Sequence, residues 1–501
     1  MLNAVDLEGR PFHFIGIGGI GMSAIAYILT KRHLPVSGSD VRNTHITQKL
    51  QTLGAQIFWE QNAENLDYFQ RPQQVLSSTS DPEKAGATET AVLPQVICST
   101  AIQPSNLEYQ AAVRLGCPIF HRSDVLAALI GESAKSVAVA GTHGKTTTSS
   151  LIGYLLVEAG LDPTIIVGGE VAAWEGNARV GQSPYLIAEA DESDGSLVKF
   201  HSHIGVITNI ELDHPDHYST LDEVVQIFQA FVDRSHHMVL CIDCETTRTR
   251  IEPNSAGGSI STYGLNRELN PDYTADSIVY GSAQTTAAIY EKGQLLGQLS
   301  FSLLGCHNLS NALAAIAVGR RLGLSFETIA TALQTFEGAR RRFEHRGEAN
   351  GISFIDDYAH HPSEIRATLA SAKLRAAARD ANRRVVAVFQ PHRYSRTQTF
   401  LEEFSRAFDD ADCVIAMDVY SAGEAKPADM NGANVAAAIA EHHGNVSYQE
   451  TLVDVAAYLK ATLKPGDLVV FLGAGDLNRI IPEVLVHFQQ TAADRAEVAL
   501  R

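Results

Sequence analysis

The chain has 501 residues and a formal net charge of -18 at pH 7. Its length corresponds to about three domains of ~100–200 residues each, no apolar run approaches the ~18 residues of a membrane span, and the acidic balance argues against general nucleic-acid binding. The first residues show no secretion signal and the six cysteines are scattered, as in proteins of a reducing compartment. We therefore expect a cytoplasmic enzyme of three α/β domains that acts on small molecules, not on nucleic acid or a membrane.

The first strand-turn-helix unit lies near the N-terminus, where the apolar segment FHFI runs into a glycine-rich turn and a helical pattern. Such a turn lets a diphosphate approach the backbone, and the helix N-terminus supplies N–H donors. The residues are Gly16, Gly18, Gly19 and Gly21 in the turn, with Ser39 and Asp40 at the end of the next strand. This predicts a Rossmann-like domain over residues 1–133 that binds a dinucleotide or a nucleotide-sugar, and the turn itself does not decide between them.

One segment of the first domain has no periodic pattern. Residues 71–94 are polar and rich in Pro, Ser and Thr. This composition is typical of chain that packs into no core. We predict a mobile surface insertion there.

The second unit resembles a P-loop between the strand SVAVA and an apolar helix. It is a variant, because the first glycine of the usual pattern would fall at Val139. Its residues are Gly141, Thr142, His143, Gly144, Lys145, Thr146 and Thr147. We expect Lys145 to reach the β and γ phosphates of ATP and the Thr146 hydroxyl to bind Mg²⁺. The unit opens a central ATP-binding domain with a parallel sheet, predicted over residues 134–338.

Two acidic clusters follow apolar strands of this central domain. The first spans residues 189–194 (EADESD) and the second spans residues 209–217 (NIELDHPDH). Carboxylates at strand ends beside a P-loop suit Mg²⁺. The alternative is that both segments are solvated acidic turns, which are common in a chain with 57 acidic residues.

The third domain is predicted over residues 339–501 as a second Rossmann-like unit that begins with the strand ISFIDDY. Arg393 and Arg396 are spaced i and i+3, so on a helix they would share a face and could clamp a carboxylate. The alternative is a solvated basic turn. The run of three arginines at 340–342 is either an exposed hinge or a phosphate contact.

Two other classes of enzyme explain part of the pattern. A nicotinamide dehydrogenase would use the first turn but would leave GTHGKTTT and the acidic clusters unexplained. A P-loop switch or transport ATPase would account only for the central domain. Neither class of enzyme accounts for the motifs of all three predicted domains.

Nine ordered segments together resemble the Mur ligases of bacterial cell-wall synthesis. They are GIGGIGMS, GTHGKTTT, EADESD, NIELDH, HNLSNALAA, ARRRF, DDYAHHPSE, FQPHRYSRT and GAGD. The resemblance covers nearly the whole chain. It implies a UDP-sugar at the first turn, ATP at the P-loop and an amino acid in the third domain.

The resemblance also implies roles for individual residues. Thr146 and Glu189 would be ligands of one Mg²⁺ and His214 a ligand of a second. The catalytic group would comprise Lys145, His214, His360, Arg393 and Arg396. ATP would contact the P-loop and His307, Asn308, Asn311, Arg341, Arg342 and Asp357. The amino acid would lie among Tyr358, His360, Arg393 and Arg396.

The reaction implied is ATP-dependent joining of L-alanine to the carboxylate of UDP-N-acetylmuramate through an acyl phosphate, with Mg²⁺ as cofactor. Several relatives that add later residues use a lysine shortly after the D-H motif, and this chain has no lysine between Lys199 and Lys292. That favours the alanine-adding reaction. The alternative within the family is attachment of a murein tripeptide to the same UDP-sugar. We expect a monomer or a weak homodimer.

Overall fold

The computed structural model describes residues 4–69, 92–253, 258–281, 283–380 and 382–500. Most of the insertion predicted at 71–94, namely residues 71–91, lies outside this part of the chain, so that prediction stays untested. Among the described residues, no helix has both the length and the apolar character required to cross a membrane.

The first domain contains a five-stranded parallel sheet with helices packed against it. The strands are β1 (Phe12–Ile15), β2 (Val36–Ser39), β3 (Gln56–Phe58), β4 (Gln95–Cys98) and β5 (Ile119–His121). The helices are α1 (Ile20–Lys31), α2 (His45–Thr52), α3 (Leu107–Leu115) and α4 (Arg122–Glu132). The order β3-β2-β1-β4-β5 with parallel pairing is that of a Rossmann-like half. The glycine-rich turn joins β1 to α1, as predicted.

The central domain contains a sheet of ten strands. They are β6 (Lys135–Ala140), β7 (Thr164–Val171), β8 (Gly176–Arg179), β9 (Tyr185–Glu189), β10 (Ile204–Ile207), β11 (His237–Cys241), β12 (Ser259–Tyr263), β13 (Tyr273–Tyr280), β14 (Thr285–Glu291) and β15 (Gln294–Phe301). The helices are α5 (Lys145–Glu158), α6 (Leu221–Asp233), α7 (Glu245–Arg250), α8 (Cys306–Arg321) and α9 (Phe326–Gln334).

The order of the central sheet is β15-β14-β13-β12-β11-β10-β6-β9-β7-β8. The seven strands from β13 to β7 are parallel, which confirms the predicted parallel sheet. The edge strands β8, β14 and β15 pair antiparallel, and they were not predicted. Lys292 and Gly293 both have positive φ and form the tight turn between β14 and β15.

The third domain contains a six-stranded sheet. Its strands are β16 (Glu344–Ala349), β17 (Ile352–Asp357), β18 (Val385–Phe389), β19 (Cys413–Met417), β20 (Val446–Gln449) and β21 (Leu468–Leu472). Its helices are α10 (Pro362–Arg379), α11 (Tyr394–Thr399), α12 (Leu401–Ser405), α13 (Gly432–Ala440), α14 (Leu452–Thr462) and α15 (Ile481–Leu500). The order is β16-β17-β21-β18-β19-β20, and only β16 pairs antiparallel. The sequence pattern began this sheet at β17 and missed β16.

Short 3-10 helices complete the described elements. They span Ala63–Phe69, Ala172–Trp174, Ser196–Lys199, Arg267–Leu269 and Leu477–Ile480.

The two seams between domains differ in character. Helix α1 packs on β7 and β8, and one apolar cluster continues from Ile25 and Ile28 of the first domain to Ile166 and Ala178 of the central domain. The third domain has its own apolar clusters, to which Leu212 is the central-domain neighbour. The first two domains therefore share a core, whereas polar side chains dominate the contacts of the third domain with the central one.

Candidate active site

A large cavity lies where the three domains meet. Its volume is about 1000 Å³. It is lined by the turns that follow β1, β6, β9 and β10, and by those that follow β17 and β18. The carboxyl ends of parallel strands are where α/β proteins bind ligands, because the loops and helix N-termini converge there. All three domains therefore contribute to one site.

The P-loop joins β6 to α5 by a sharp turn that only small residues permit. Gly141 has φ of +140°, and a Cβ there would overlap the Thr208 hydroxyl. Gly144 has φ of +81° and precedes α5, whose N-terminus has no side-chain cap. The backbone N–H groups of this helix therefore remain available to a phosphate. Thr147 is buried in the first turn of α5.

Lys145 points back over the loop. Its Nζ donates to the carbonyl oxygens of Gly141 and Thr142 at 2.6 and 3.1 Å, and to both carboxylate oxygens of Glu192 at 3.0 and 2.7 Å. Burial raises the pKa of Glu192 to about 7. Burial alone would lower the pKa of Lys145, but Glu192 and Asp191 raise it. A partly buried ammonium group therefore lies at the P-loop in the cavity wall, paired with a buried carboxylate.

The three predicted metal ligands lie at the edge of the same cavity. Thr146 Oγ1 donates to Glu189 Oε1 at 3.1 Å, and Glu189 Oε2 accepts from the N–H of Gly168 at 2.6 Å. His214 has φ of +54°, and its Nε2 lies 3.7 Å from Glu192 Oε1 and 3.6 Å from Asp213 Oδ2. Burial lowers the pKa of His214, so its ring is neutral near pH 7 and can offer a lone pair. Thr146 and Glu189 form a hydroxyl and carboxylate pair of the kind that Mg²⁺ prefers.

The arginines at the domain junction face different partners. Arg340 pairs with Glu170 at 2.9 Å. Arg341 donates to the carbonyl oxygen of Gly473 at 2.6 Å, and the guanidinium groups of Arg341 and Arg342 lie 5.0 and 5.2 Å from the ring centre of Tyr358. All three arginines and Tyr358 line the cavity.

Asp357 ends β17 and holds the backbone beside Tyr358. Its carboxylate accepts from the N–H groups of Phe343 and Ala359 at 2.7 and 2.8 Å. Burial raises the pKa of Asp357 to about 6. It lies beside the cavity, and its neighbour Tyr358 supplies the wall.

The predicted arginine pair binds two different carboxylates. Arg393 Nη1 lies 2.7 Å from Asp216 Oδ2, and Arg396 Nε lies 2.9 Å from Asp213 Oδ1. Arg393 precedes α11 with φ of +69°, so only Arg396 lies on the helix. The Arg396 side chain is 3% exposed and that of Arg393 is 36% exposed. Both line the cavity, and the contacts of Arg393 are the more open to exchange with a ligand.

His360 lines the cavity close to these arginines. Its Nδ1 lies 3.0 Å from the carbonyl oxygen of Tyr358 and 3.2 Å from Glu364 Oε2. Burial lowers the pKa of His360 to about 4. A neutral ring that donates from Nδ1 to Tyr358 leaves the Nε2 lone pair free.

The residues predicted on the adenine side lie at the start of α8, next to the P-loop. Thr148 Oγ1 donates to Asn311 Oδ1 at 3.1 Å, and Asn308 donates to the carbonyl oxygen of Leu304 at 2.8 Å. Burial lowers the pKa of His307 to about 4, and its Nδ1 has no hydrogen-bond partner among the described residues. Asn308 and Asn311 brace the back of the P-loop, while His307 retains a free ring nitrogen.

The glycine-rich turn of the first domain is held by Asp40. Gly18 donates its N–H to Asp40 Oδ2 at 2.8 Å, and Gly16 donates to the carbonyl oxygen of Ser39 at 2.9 Å. Gly19 and Gly21 line the cavity, whereas Gly16, Gly18, Ser39 and Asp40 lie behind it. Gly19 is the N-cap of α1, which again has no side-chain cap.

Two groups of contacts were not predicted from the sequence. Arg122 of α4 donates to Asp191 and Asp194 at 2.9 and 3.3 Å and so links the first domain to the first acidic cluster. Its guanidinium also lies beside Gly21. The HRSD segment lacks any motif that marks Arg122, because the contact depends on how two domains pack.

The second group surrounds the P-loop histidine. His143 Nδ1 lies 3.2 Å from Glu364 Oε1, and His143 Nε2 lies 3.4 Å from Glu211 Oε2. Burial alone would lower the pKa of His143, but these two carboxylates raise it to about 10. The sequence offered one signal, since Glu364 stands three residues after His361 as in a helix capping box, and the structure contains that box.

Comparison with known proteins gives a consistent picture along the chain. Family models match at residues 11–133 (Mur ligase family, catalytic domain), 139–319 (Mur ligase middle domain) and 341–475 (Mur ligase, glutamate ligase domain). The chain is 60% identical to UDP-N-acetylmuramate--L-alanine ligase of Acaryochloris marina, with 100% of each chain covered. It is 61% identical to the protein of the same name from Nostoc punctiforme, with 98% of this chain and 99% of that one covered.

Solved structures show the same architecture. UDP-N-acetylmuramate-alanine ligase from Thermotoga maritima is 27% identical, with a TM-score of 0.77 over 96% of this chain and 99% of that one. A murein peptide ligase from Psychrobacter arcticus is 21% identical, with a TM-score of 0.67 over 96% and 99%. The second likeness shows the fold alone.

Proposed function

This chain belongs to the Mur ligase family, and on that premise we propose that it joins L-alanine to the carboxylate of UDP-N-acetylmuramate with conversion of ATP to ADP and phosphate. The relatives near 60% identity that carry this name support the alanine reaction over attachment of a murein tripeptide. The observation that carries the proposal is the convergence of the P-loop, the first-domain turn and the third-domain arginines on one cavity. A dehydrogenase or a simple ATPase would not require this arrangement.

In the first step, a carboxylate oxygen of the sugar attacks the γ-phosphorus of ATP, and the bond to the β-γ bridging oxygen breaks to release ADP. Lys145 would leave Glu192 and offset the charge on the transferring phosphoryl group. The uncapped N-terminus of α5 would hold the phosphates. The first-domain turn and Arg122 would bind the diphosphate of the sugar nucleotide.

The residues present fit Mg²⁺. Thr146 and Glu189 would hold it beside the phosphates, and His214, which lies 3.7 Å from Glu192, would be a ligand of a second Mg²⁺. When bound, the ion neutralises charge on the phosphate oxygens. In the absence of the ion, the hydrogen bond from Thr146 to Glu189 keeps these two side chains oriented.

In the second step, the amine of alanine attacks the carbonyl carbon of the acyl phosphate, and the carbon-oxygen bond to phosphate breaks. Arg393 would bind the carboxylate of alanine in exchange for Asp216, while the buried pair of Arg396 with Asp213 keeps that wall in place. His360 lines the cavity, and the Nε2 of its neutral ring would accept the amine proton. Its neutral state also avoids repulsion of a protonated amine.

On the nucleotide side, His307, Asn308 and Asn311 would lie near adenine, and Arg341, Arg342 and Asp357 would approach ATP from the third domain. We propose the division at residues 133 and 338, a cytoplasmic location, and a monomer or weak homodimer. These proposals rest on the membership of the chain in the Mur ligase family and on its sequence pattern.

The test is phosphate release from ATP with Mg²⁺ and UDP-N-acetylmuramate, comparing L-alanine, other amino acids and the murein tripeptide. We expect release only when the sugar and L-alanine are both present, with a product heavier by one alanine residue in mass spectrometry. Release supported by the tripeptide instead would reassign the acceptor, and release without any acceptor would contradict a ligase.

A further inference from the structure

Three side chains near the P-loop form a compact cluster outside the residues already assigned to Mg²⁺. They are His143 of the P-loop, Glu211 after β10 and His361 at the start of α10. One ligand atom of each lies within 4.8 Å of the other two. The two rings are close, with centres 4.6 Å apart. We propose that this cluster is a binding site for a divalent transition-metal ion such as Zn²⁺, distinct from the Mg²⁺ site at Thr146 and Glu189.

The distances suit such an ion with small adjustments. Bonds of ~2.0–2.1 Å in tetrahedral geometry place two ligand atoms about 3.3–3.4 Å apart. His143 Nε2 and Glu211 Oε2 are 3.4 Å apart, and His361 Nδ1 is 4.0 Å from the same oxygen. The site therefore needs His361 to move about 0.6 Å closer to Glu211, and it needs the ligand atoms of the two histidines, now within 4.8 Å of each other, to approach to about 3.4 Å.

Hydrogen bonds around the cluster orient its ligands. Glu364 lies at His143 Nδ1, which leaves Nε2 directed at Glu211. Ser363 Oγ donates to Glu211 Oε2 at 2.7 Å. A histidine whose second nitrogen meets a carboxylate is the usual outer arrangement of metal sites, because it sets the tautomer and strengthens the ligand.

The His361 ring contributes a buried polar atom to the cluster. The Nε2 atom of His361 is buried with no hydrogen-bond partner among the described residues, and the close contact of His143 Nε2 is Glu211 Oε2 at 3.4 Å. His361 is 5% exposed. Burying a polar nitrogen without a partner is unfavourable, and a cation bound at this cluster would give the His361 ring a partner.

The ligand set selects the class of ion. Two imidazoles and one carboxylate suit zinc, cobalt or nickel, whereas Mg²⁺ prefers oxygen ligands in octahedral geometry. Three protein ligands also leave a fourth position open. His143 and Glu211 belong to the central domain and His361 to the third, so the ion would hold the third domain closed against the P-loop.

The experiment uses the full chain, stripped with a chelator and kept in excess Mg²⁺ without substrates. Zn²⁺ is titrated against a chromophoric indicator, and Co²⁺ absorption reports the ligand geometry. We expect one site with a Kd of about 1 μM or below and a tetrahedral Co²⁺ spectrum. His361→Asn should weaken this site by about 100-fold or more, and Glu364→Gln by about 10- to 100-fold.

These variants preserve local structure. Asn is a good N-cap and Gln serves in a capping box, so α10 should begin as before. His203→Gln is the matched control, because His203 and His236 form another histidine pair, 6.0 Å apart, that could bind Zn²⁺ adventitiously. Melting curves without metal confirm that all variants fold.

Two outcomes would overturn the site: no Zn²⁺ binding below about 10 μM in excess Mg²⁺, or tight binding that survives His361→Asn but not His203→Gln. The cluster would then be an ion-pair contact between domains. Neither outcome bears on alanine ligation, since no substrate is present in the titration.

Discussion

The turn at 16–21 and the P-loop at 141–147 both place an uncapped helix N-terminus at the carboxyl end of a parallel strand. Each is held by a side chain at the end of a neighbouring strand, since Asp40 accepts from Gly18 N–H and Asn209 Oδ1 accepts from His143 N–H, both at 2.8 Å. Their charged surroundings differ. The P-loop contains a buried lysine among carboxylates, whereas the first turn has Arg122 at its side and no cation within it.

This difference in charge indicates that the first turn serves to bind a ligand, whereas the P-loop also serves catalysis. Uncapped N–H groups suffice to hold a diphosphate, so the first turn needs little fixed charge. Phosphoryl transfer needs charges placed in advance where negative charge develops. The buried pairs at the P-loop supply those charges, and substitutions there should affect turnover more than substitutions at the first turn.

The largest effect is expected for Lys145→Ala. Loss of a transition-state cation should lower kcat by about 10²- to 10³-fold or more, while UDP-sugar binding stays unchanged. Steady-state phosphate release and fluorescence titration of the sugar nucleotide measure the two effects. Lys135→Ala, in the strand that leads to the P-loop, is the control, and an equal loss there would contradict the special role of Lys145.

The next largest effect is expected on stability, when one glycine in each of the two turns is replaced by alanine. Gly141→Ala places a methyl group on Thr208 at a φ of +140°, and should destabilise the chain by about 3 kcal/mol or more. Gly16→Ala meets only Ile102, 3.8 Å away, at a φ of +81°, and should cost about 1–2 kcal/mol. Urea unfolding measures both, and equal costs would show that the Thr208 contact does not constrain the loop.

A smaller effect is expected on the pH dependence of stability, which the buried ring of His307 on the nucleotide side should influence. Burial holds the pKa of His307 at about 4, below its unfolded value of about 6.5. As the pH falls, the unfolded state therefore takes up this proton at a higher pH than the folded state does. The contribution of neutral His307 to the free energy of unfolding is fully present above pH 6.5 and is lost as the pH falls towards 4. His307→Gln should reduce the loss between pH 7.5 and 5 by about 1–2 kcal/mol. Exposed His442→Gln is the control, and an unchanged slope in His307→Gln would refute the assignment.

The smallest effect concerns the first turn. Asp40→Asn replaces a charged acceptor of Gly18 N–H by a neutral one, at a difference of about 1 kcal/mol. The KM for UDP-N-acetylmuramate should rise about 5-fold, with the KM for ATP unchanged. A lower KM for the sugar would mean instead that the carboxylate repels the diphosphate.

The sequence predicted much of the fold because its α/β units are local. The three strand-turn-helix units, the parallel central sheets and the positions of the phosphate loops follow from patterns within about 20 residues. The antiparallel strands β8, β14, β15 and β16 were missed, because β8 has only four residues and the other three mix buried with partly or fully exposed positions without a strict alternation.

The site was less accessible to sequence reasoning. Residues such as Lys145, Thr146 and Glu189 stand in motifs, and the structure brings them to one cavity. The sequence did not indicate which of the motif residues pair with one another, or with residues outside the motifs such as Arg122. Arg122 pairs with Asp191, and His143 with Glu364, across domain boundaries. Arg393 and Arg396 pair with Asp216 and Asp213, and their binding of a ligand carboxylate stays a prediction.

The sequence by itself determined which residues could bind phosphate, because glycine turns, an uncapped helix start and a lysine act over a few neighbouring residues. Only the tertiary structure decided how charge is distributed around them. The pairing of Arg396 with Asp213 spans 183 residues, and that of His143 with Glu364 spans 221. Such contacts depend on strand order and domain docking, which no local pattern encodes, and the low dielectric of the buried seam gives them their strength.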